Sequence, residues 1–252
     1  MASPPRDVSA EIGSGGLSLV DIRKRFGRVT ALDGLSIHVD HGEVVGLFGR
    51  DGAGKTTCFE AAMGLTSIDS GRIVMNGRDI TKLTLDRRAP LGLSYLAQET
   101  SIFRGMTTAE NISAVLEHTE PDMAARSERL DDLLDRFSID YVRDTPTPRL
   151  SGGERRRCEV ARAMASSPSI MLLDEPFAGI DPMSVASIRK TIEQLRGMDV
   201  GVLMADQNVH ETIEVVDRTY VIHFGKLIFE GPPDEMLTNR DVRRFYLGQQ
   251  YH

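Results

Sequence analysis

The segment with the strongest pattern in this sequence is Gly49-Arg50-Asp51-Gly52-Ala53-Gly54-Lys55-Thr56-Thr57. It fits the spacing Gly-x-x-x-x-Gly-Lys-Ser/Thr, follows the apolar run 44–48 and opens a helical pattern over 55–63. Glycines allow a backbone to wrap closely around phosphate, so that successive N–H groups and the helix N-terminus bind the anion. We therefore predict that this loop binds a nucleoside triphosphate, with Lys55 contacting the β- and γ-phosphates and the Thr56 hydroxyl ligating Mg²⁺.

A second signal is an apolar run that ends in two carboxylates, Ile170-Met171-Leu172-Leu173-Asp174-Glu175. Two acids after a strand are, by themselves, most often a solvated strand end. A phosphate-binding loop upstream in the same chain reverses those odds. Asp174 then suits a place beside Mg²⁺, and Glu175 could polarise an attacking water.

The third signal is Leu150-Ser151-Gly152-Gly153-Glu154, which three arginines follow. Ser151 and Glu154 have the spacing of a capping box, which alone indicates only a well-made helix start. Two consecutive glycines in a first turn, however, cost roughly 1 kcal/mol each in helix stability. They indicate that something approaches this backbone closely, and an anion at a helix N-terminus is the natural candidate.

Short apolar runs alternate with amphipathic stretches from Leu17 onward, which predicts an α/β fold with a P-loop NTPase sheet and crossover helices. The runs at Val44, Ile170 and Val202 are apolar on both parities, as expected of parallel strands covered on both faces. Strands are predicted over 17–22, 35–39, 44–48, 73–75, 170–173, 201–205, 220–223 and 226–229. Helices are predicted over 55–63, 184–196 and 208–216.

The domain organisation follows from composition and periodicity. Residues 1–16 are rich in Pro, Ser and Gly and are predicted to be a mobile tail, followed by a single nucleotide-binding domain over 17–252. Residues from about 99 to 168 carry helical patterns and no strand pattern. We interpret them as an inserted helical subdomain, because their apolar stripe needs the neighbouring core to bury against.

The composition excludes several classes of protein. Lys+Arg 30 against Asp+Glu 37 gives a formal net charge of −7, so nucleic acid is not an expected partner. No apolar run approaches the roughly 18 to 20 residues that a membrane span needs, and no secretory leader is recognisable. Cys58 and Cys158 both fall in helical patterns and fit a reduced setting. We expect a cytoplasmic protein with no membrane span of its own.

The three motifs together resemble those of ABC transporter nucleotide-binding subunits, and the similarity runs from Leu17 to Gly248. It implies the ABC ATPase fold, with an antiparallel β portion near the N-terminus, and ATP with Mg²⁺ as the bound nucleotide. It also implies that Gln98 contacts Mg²⁺ and the attacking water, and that Phe26 stacks on adenine. Phe26 could instead be an ordinary core residue. Asp181, in Gly179-Ile180-Asp181, corresponds to the D-loop.

The same resemblance implies a homodimer. Each chain offers one phosphate-binding loop and one segment 151–154, and each nucleotide site needs both, from opposite chains. Two copies would therefore close on two ATP molecules and drive transmembrane partner subunits. Phe103 and Arg104, just after Gln98, are candidates to contact those partners, although Phe103 could be core and Arg104 merely solvated.

The sequence departs from the family pattern at three places. Arg50-Asp51 stands where Pro-Asn is usual, with a modest effect expected because backbone N–H groups do most of the phosphate binding. Ala97 replaces a proline and could loosen the loop of Gln98. Gln207 occupies the place of the switch histidine, and His210 cannot easily replace it, because three residues along a helix move a side chain about 4.5 Å. We expect slow turnover with ready ATP binding.

Further segments of the chain resemble those of the ATPases of lipopolysaccharide-export transporters, which act on the cytoplasmic face of the inner membrane. They lie in Gln98-Glu99-Thr100-Ser101-Ile102-Phe103-Arg104, in residues 150–157 and 175–182, and in the ending Arg243-Arg244-Phe245-Tyr246-Leu247-Gly248. Importers of branched-chain amino acids are the nearest competitors. Two other classes remain: an ATP-gated dimerising module with little hydrolysis, which Gln207 favours, and a DNA-maintenance or ribosome-associated ATPase, which the net charge and the single nucleotide-binding unit disfavour.

Overall fold

Two β-sheets of different construction lie in the computed structural model, which describes residues 15–178 and 182–248. Residues 1–14 of the predicted tail lie outside the described part. The strands are β1 (Leu17–Phe26), β2 (Val29–Val39), β3 (Val44–Phe48), β4 (Ser70–Met75), β5 (Arg78–Asp79), β6 (Leu93–Leu96), β7 (Ile170–Asp174), β8 (Gly201–Ala205), β9 (Arg218–His223) and β10 (Lys226–Gly231).

The helices connect these strands and form one long segment between β6 and β7. They are α1 (Lys55–Met63), α2 (Leu85–Arg88), α3 (Thr108–Thr119), α4 (Met123–Arg136), α5 (Gly152–Met164), α6 (Pro182–Gly197), α7 (Val209–Ile213), α8 (Pro233–Thr238) and α9 (Arg240–Val242). Short 3₁₀ turns occur at Ala89–Leu91, Asp140–Val142 and Thr147–Arg149, and a π-helical turn at Arg243–Leu247.

The six-stranded sheet has the order β10-β9-β3-β8-β7-β6. Only β10 runs antiparallel to its neighbour, while β9, β3, β8, β7 and β6 pair in parallel. Every residue of β3, β7 and β8 is buried, which confirms the prediction from their two-sided apolar patterns. Because the strands are parallel, the segments that follow β3, β8, β7 and β6 meet at one edge of this sheet.

The four-stranded sheet is antiparallel, with the order β2-β1-β4-β5. Its inner face shares one buried cluster with α1 and with the parallel sheet, including Leu19, Phe59 and Leu172. The antiparallel β portion near the N-terminus is thereby confirmed, and with it the α/β fold class.

The helices between β6 and β7 do not form a core of their own. Ile112 of α3, Leu134 of α4 and Val160 of α5 belong to the same buried cluster as Met171 and Leu173 of β7. An amphipathic helix gains most of its stability by burying its apolar face, and here that face is buried partly against the sheet.

Among the differences from the sequence-based expectations, three have a clear local reason. The helix expected over 208–216 ends at Ile213, because Asp217 N–H already donates to the Val44 carbonyl and leads the chain into β9. Strand β6 was not expected, since it is short and two of its residues are only half-buried. Strand β5 has two exposed polar residues and hence no apolar pattern to find.

Candidate active site

The phosphate-binding loop joins β3 to α1, as its sequence predicts. Gly54 precedes the helix with φ +112°, and a Cβ there would lie 2.5 Å from the Ala31 carbonyl oxygen, so only glycine fits. Gly52 has φ +74°, and nothing lies within 4 Å of where its Cβ would be. The loop is therefore packed against the protein at Gly54 and open to its surroundings at Gly52.

Lys55 is buried, with 7% of its surface exposed, and its Nζ donates to the carbonyl oxygens of Gly49 at 2.6 Å and Arg50 at 3.3 Å. Burial lowers its pKa, while the carboxylates of Asp51 and Glu175 act in the opposite direction. The first turn of α1 has no acidic residue to compensate the positive helix end. The loop thus presents an ammonium group and a helix N-terminus together, which suits a polyanion.

Asp174 ends strand β7 with 4% of its surface exposed. Burial raises the pKa of its carboxyl group, and the hydroxyl of Tyr95 donates to its Oδ2 at 3.2 Å. A buried carboxylate with one hydrogen-bond donor retains affinity for a cation, because a cation would offset the cost of burying the charge.

Glu175 lies in the left-handed region at φ +46°, and its backbone N–H donates to the Ala205 carbonyl at 2.6 Å. Such a conformation in a non-glycine residue costs on the order of 1 kcal/mol and persists where the surroundings fix it. It directs the carboxylate between two amides: Gln98 Nε2 donates to Oε2 at 2.7 Å, and Gln207 Nε2 donates to Oε1 at 2.9 Å. Of the three residues expected to act in hydrolysis, Gln98 and Gln207 therefore each contact Glu175.

Three of the expected ligands have the chemistry that Mg²⁺ prefers. Thr56 offers a hydroxyl and Asp174 a carboxylate. Gln98 offers its amide oxygen, because its amide N–H already donates to Glu175. Within 15–178 and 182–248, no group of three or more His, Cys, Asp or Glu residues could hold a metal ion. A set with one carboxylate fits an ion that takes its remaining ligands from phosphate and water.

Segment 151–154 begins helix α5, and the capping box is present. The Glu154 N–H donates to Ser151 Oγ at 3.3 Å, and the Ser151 N–H donates to Glu154 Oε2 at 2.7 Å. A Cβ at Gly153 would lie 2.8 Å from Ser184 Oγ, so close packing against α6 is one reason for that glycine. In the described part of the chain, no hydrogen bond joins this segment to the phosphate-binding loop.

The two aromatic residues that the sequence left open are exposed, so the core interpretation is wrong for both. Phe26 is 48% exposed at the end of β1, with Lys24 Nζ 5.1 Å from its ring centroid. Phe103 is 46% exposed, and the Arg162 guanidinium lies 4.7 Å from its ring centroid. Arg104 is exposed beside it. Asp181 and the rest of Gly179-Ile180-Asp181 lie outside the described residues.

Sequence reasoning missed two supporting residues, Tyr95 and Asp206. Asp206 directly follows β8. Its side chain is buried and accepts from the backbone N–H groups of Phe177 at 2.9 Å and Asn208 at 2.7 Å. Burial raises the pKa of its carboxyl group. An acid after an apolar strand, as at Asp174, was the available signal. No signal in the sequence indicates the contact between Asp51 and Gln207, which lie 156 positions apart.

None of the helices in the described ranges combines the length and the apolar character that crossing a bilayer requires. The two cysteines are buried and free, and burial raises the pKa of each thiol to about 12, which disfavours the thiolate form.

Comparison with known proteins gives concordant results. The family profile described as "ABC transporter" matches residues 32–178. A "Probable ABC transporter ATP-binding protein" of Azorhizobium caulinodans is 49% identical over 94% of this chain and 84% of its own length. The "Lipopolysaccharide export system ATP-binding protein LptB" of Escherichia coli (strain K12) is 44% identical over 93% of this chain and 98% of its own. A crystal structure of the ADP conformation of an ABC transporter's ATP-binding cassette superposes with a TM-score of 0.83, at 25% identity, over 93% of this chain and 99% of that one.

Proposed function

The chain belongs to the ABC transporter family, and from that premise we propose that this ATP-hydrolysing subunit powers the extraction of lipopolysaccharide from the inner membrane and its export. The observation that carries the choice of cargo is similarity to lipopolysaccharide-export ATPases along nearly the whole chain. The relative from Haemophilus influenzae is 44% identical to this chain, which covers 98% of its length. The relative from Acidithiobacillus ferridurans is 47% identical, and the chain covers 95% of its length.

Within this proposal, the nucleotide is held by residues 49–57, and Phe26 stacks on the adenine. Lys55 and the loop N–H groups bind the β- and γ-phosphates. Thr56, Asp174 and Gln98 would hold Mg²⁺, which would neutralise phosphate charge. The Glu175 carboxylate takes the proton of the attacking water, and Gln207 donates a hydrogen bond beside it. The observed hydrogen bonds from Gln98 and Gln207 to Glu175 support this assignment.

We also propose that the active form is a homodimer. Ser151, Gly152, Gly153 and Glu154 of one copy, with Asp181, complete the nucleotide site of the other. Two observations support this: Ser151 and Gly152 are exposed, and the N-terminus of α5 is not used by the phosphate-binding loop of its own chain. One domain, 17–252, with helices over about 99–168, forms each half.

The transmembrane partners are proposed to contact Phe103 and Arg104 on the cytoplasmic face of the inner membrane. The loop that carries them is tied to α5: Arg162 donates to the Ser101 carbonyl at 2.9 Å, and the Ser101 N–H donates to Glu159 at 3.0 Å. Movement of Phe103 would therefore shift helix α5, which Ser151 caps. In the proposed homodimer, this shift would reach the neighbouring copy.

A second function is an ATP-gated dimer that hydrolyses little ATP. It is favoured by Gln207, which makes two hydrogen bonds through its amide but cannot carry a proton or a positive charge toward the developing anion. A branched-chain amino acid importer is the other alternative for the cargo. Steady-state phosphate release separates the gated module from the transport ATPase.

The test of the cargo is to co-purify the chain with its membrane partners, reconstitute them, and measure ATP turnover with added lipids. Lipopolysaccharide should stimulate turnover above the level given by phospholipid alone. Stimulation by branched-chain amino acids with a binding protein, and none by lipopolysaccharide, would replace the proposed cargo with the importer's.

A further inference from the structure

The amide of Gln207 makes two hydrogen bonds with its single nitrogen. Nε2 donates to Asp51 Oδ1 at 2.8 Å and to Glu175 Oε1 at 2.9 Å. A primary amide nitrogen has two hydrogens, so both are used. The reversed amide would place its carbonyl oxygen against two carboxylates, and the surroundings therefore fix the direction in which the amide faces.

Asp51 is carried by a backbone that is held on several sides. The Ala53 N–H donates to the Arg50 carbonyl at 3.0 Å, and Lys55 Nζ donates to the same carbonyl at 3.3 Å. The Gly225 N–H donates to the Ala53 carbonyl at 2.9 Å. Gln207, in contrast, has a flexible side chain and loses rotamer freedom when it is ordered. A fixed acceptor at Asp51 is therefore suited to hold the Gln207 side chain in one position.

These bonds extend into a chain of four residues around the carboxylate of Glu175. Asp51 accepts from Gln207, Gln207 donates to one oxygen of Glu175, and Gln98 donates to the other at 2.7 Å. The Glu175 carboxylate is thus held from both sides, by amides that follow β8 and β6. Without Asp51, one of the two anchors of the Gln207 amide is lost.

We propose that Asp51 is a positioning residue for ATP hydrolysis, which holds the Gln207 amide against Glu175. The two unusual residues at positions 51 and 207 then form one functional pair, in which Asp51 accepts and Gln207 donates. This inference rests on the proposed roles of Glu175 and Gln207.

A competing role for Asp51 is purely electrostatic, since its charge acts on Lys55. The two roles differ in what they predict. A charge beside the phosphates would change the affinity for ATP. A positioning bond would change kcat and leave affinity nearly as it is. Asp51→Asn keeps an acceptor oxygen and removes the charge, whereas Asp51→Ala removes both.

The kinetic test uses the full chain with saturating magnesium and ATP. Asp51→Ala and Gln207→Ala should each lower kcat by about ten-fold, and the double variant should be no slower than the slower single one. Asp51→Asn should recover most of the rate, with the ATP dissociation constant within about two-fold of the parent throughout. Asp135→Ala, an exposed aspartate on α4, is the matched control. Effects that multiply, or a loss confined to ATP affinity, would overturn the pairing.

A second readout needs no nucleotide. In protein labelled with ¹⁵N-glutamine, the side-chain amide resonances of Gln207 should shift in Asp51→Ala and stay in place in Asp135→Ala. Unmoved resonances in Asp51→Ala would contradict the contact.

Glu175→Gln, measured in the same kinetic series, distinguishes failure of the proposed site from failure of the proposed pair. Parental turnover in Glu175→Gln would refute the site itself. Lost turnover in Glu175→Gln, together with multiplying effects at 51 and 207, would refute only the pairing.

Discussion

At the scale of single residues, we expect nucleotide binding to depend most on Lys55. Its buried Nζ is held by the Gly49 and Arg50 carbonyls, so the ammonium is in place before a phosphate arrives. Lys55→Ala removes a charge-assisted contact to the phosphates, and we expect ATP binding to fall below detection in calorimetry. The exposed Lys190→Ala on α6 should bind as the parent does. Near-parental affinity in Lys55→Ala would refute the phosphate-binding loop.

The residue at position 207 is expected to set the rate of hydrolysis. Losing one well-placed donor to a developing anion typically costs about 10²- to 10³-fold in rate, and an amide in a histidine's place should cost less than that. We expect Gln207→His to raise phosphate release several-fold at an unchanged ATP affinity. Equal rates for the two proteins would show that position 207 does not act as the switch.

At the scale of elements, the C-terminus of α1 depends on one buried arginine. Arg88 donates to the carbonyls of Ala61 at 2.7 Å and Ala62 at 2.5 Å, and to Leu83 at 2.8 Å. Arg88→Ala removes these donors, although the Ala61 carbonyl still accepts from the Gly64 N–H, and it opens a cavity. We therefore expect a loss of about 2–4 kcal/mol in the free energy of unfolding. Urea denaturation measures it, with the exposed Arg87→Ala as control; a change below about 0.5 kcal/mol in Arg88→Ala would contradict the account.

The loop after Gln98 should couple the ATPase to its partners. Phe103 and Arg104 are exposed, and the loop is held by α5. Replacing both by alanine should leave the ATPase activity of the isolated chain within about two-fold of the parent while abolishing co-purification with the transmembrane subunits, as expected of an aromatic anchor and its neighbouring cation. Met123→Ala, an exposed residue on α4, should do neither. Intact assembly of the double variant would exclude this surface.

The sequence predicted elements well where burial is two-sided. Strands β3 and β8 and helix α1 have the predicted bounds, because continuous apolar runs and a glycine-rich loop mark their ends. Sequence-based prediction failed where tertiary contacts determine the bounds of an element. Strand β6 is too short to give a clear pattern, and helix α7 ends early because the Asp217 N–H donates to the Val44 carbonyl. The positions of Gln98, Glu175 and Gln207 beside one another follow from the strand order β8-β7-β6, which no local pattern contains.

At the scale of the whole molecule, the sheet order explains why distant segments form one site. The loop after β3, the carboxylates after β7, and the glutamines after β6 and β8 meet at the same sheet edge, whereas segment 151–154 begins a helix that makes no hydrogen bond to that loop in the described residues. One chain thus holds half of each proposed ATP sandwich. In the proposed homodimer, a second copy supplies the other half.

The measurement that tests this account most directly compares the parent with Glu175→Gln in the presence of magnesium and ATP, following phosphate release and molar mass by light scattering. Glu175→Gln should bind ATP with parental affinity, release phosphate at least about 10²-fold more slowly, and accumulate as a dimer. The exposed Glu128→Gln on α4 should behave as the parent. Parental phosphate release by Glu175→Gln, or a monomer that persists at saturating ATP, would contradict the account.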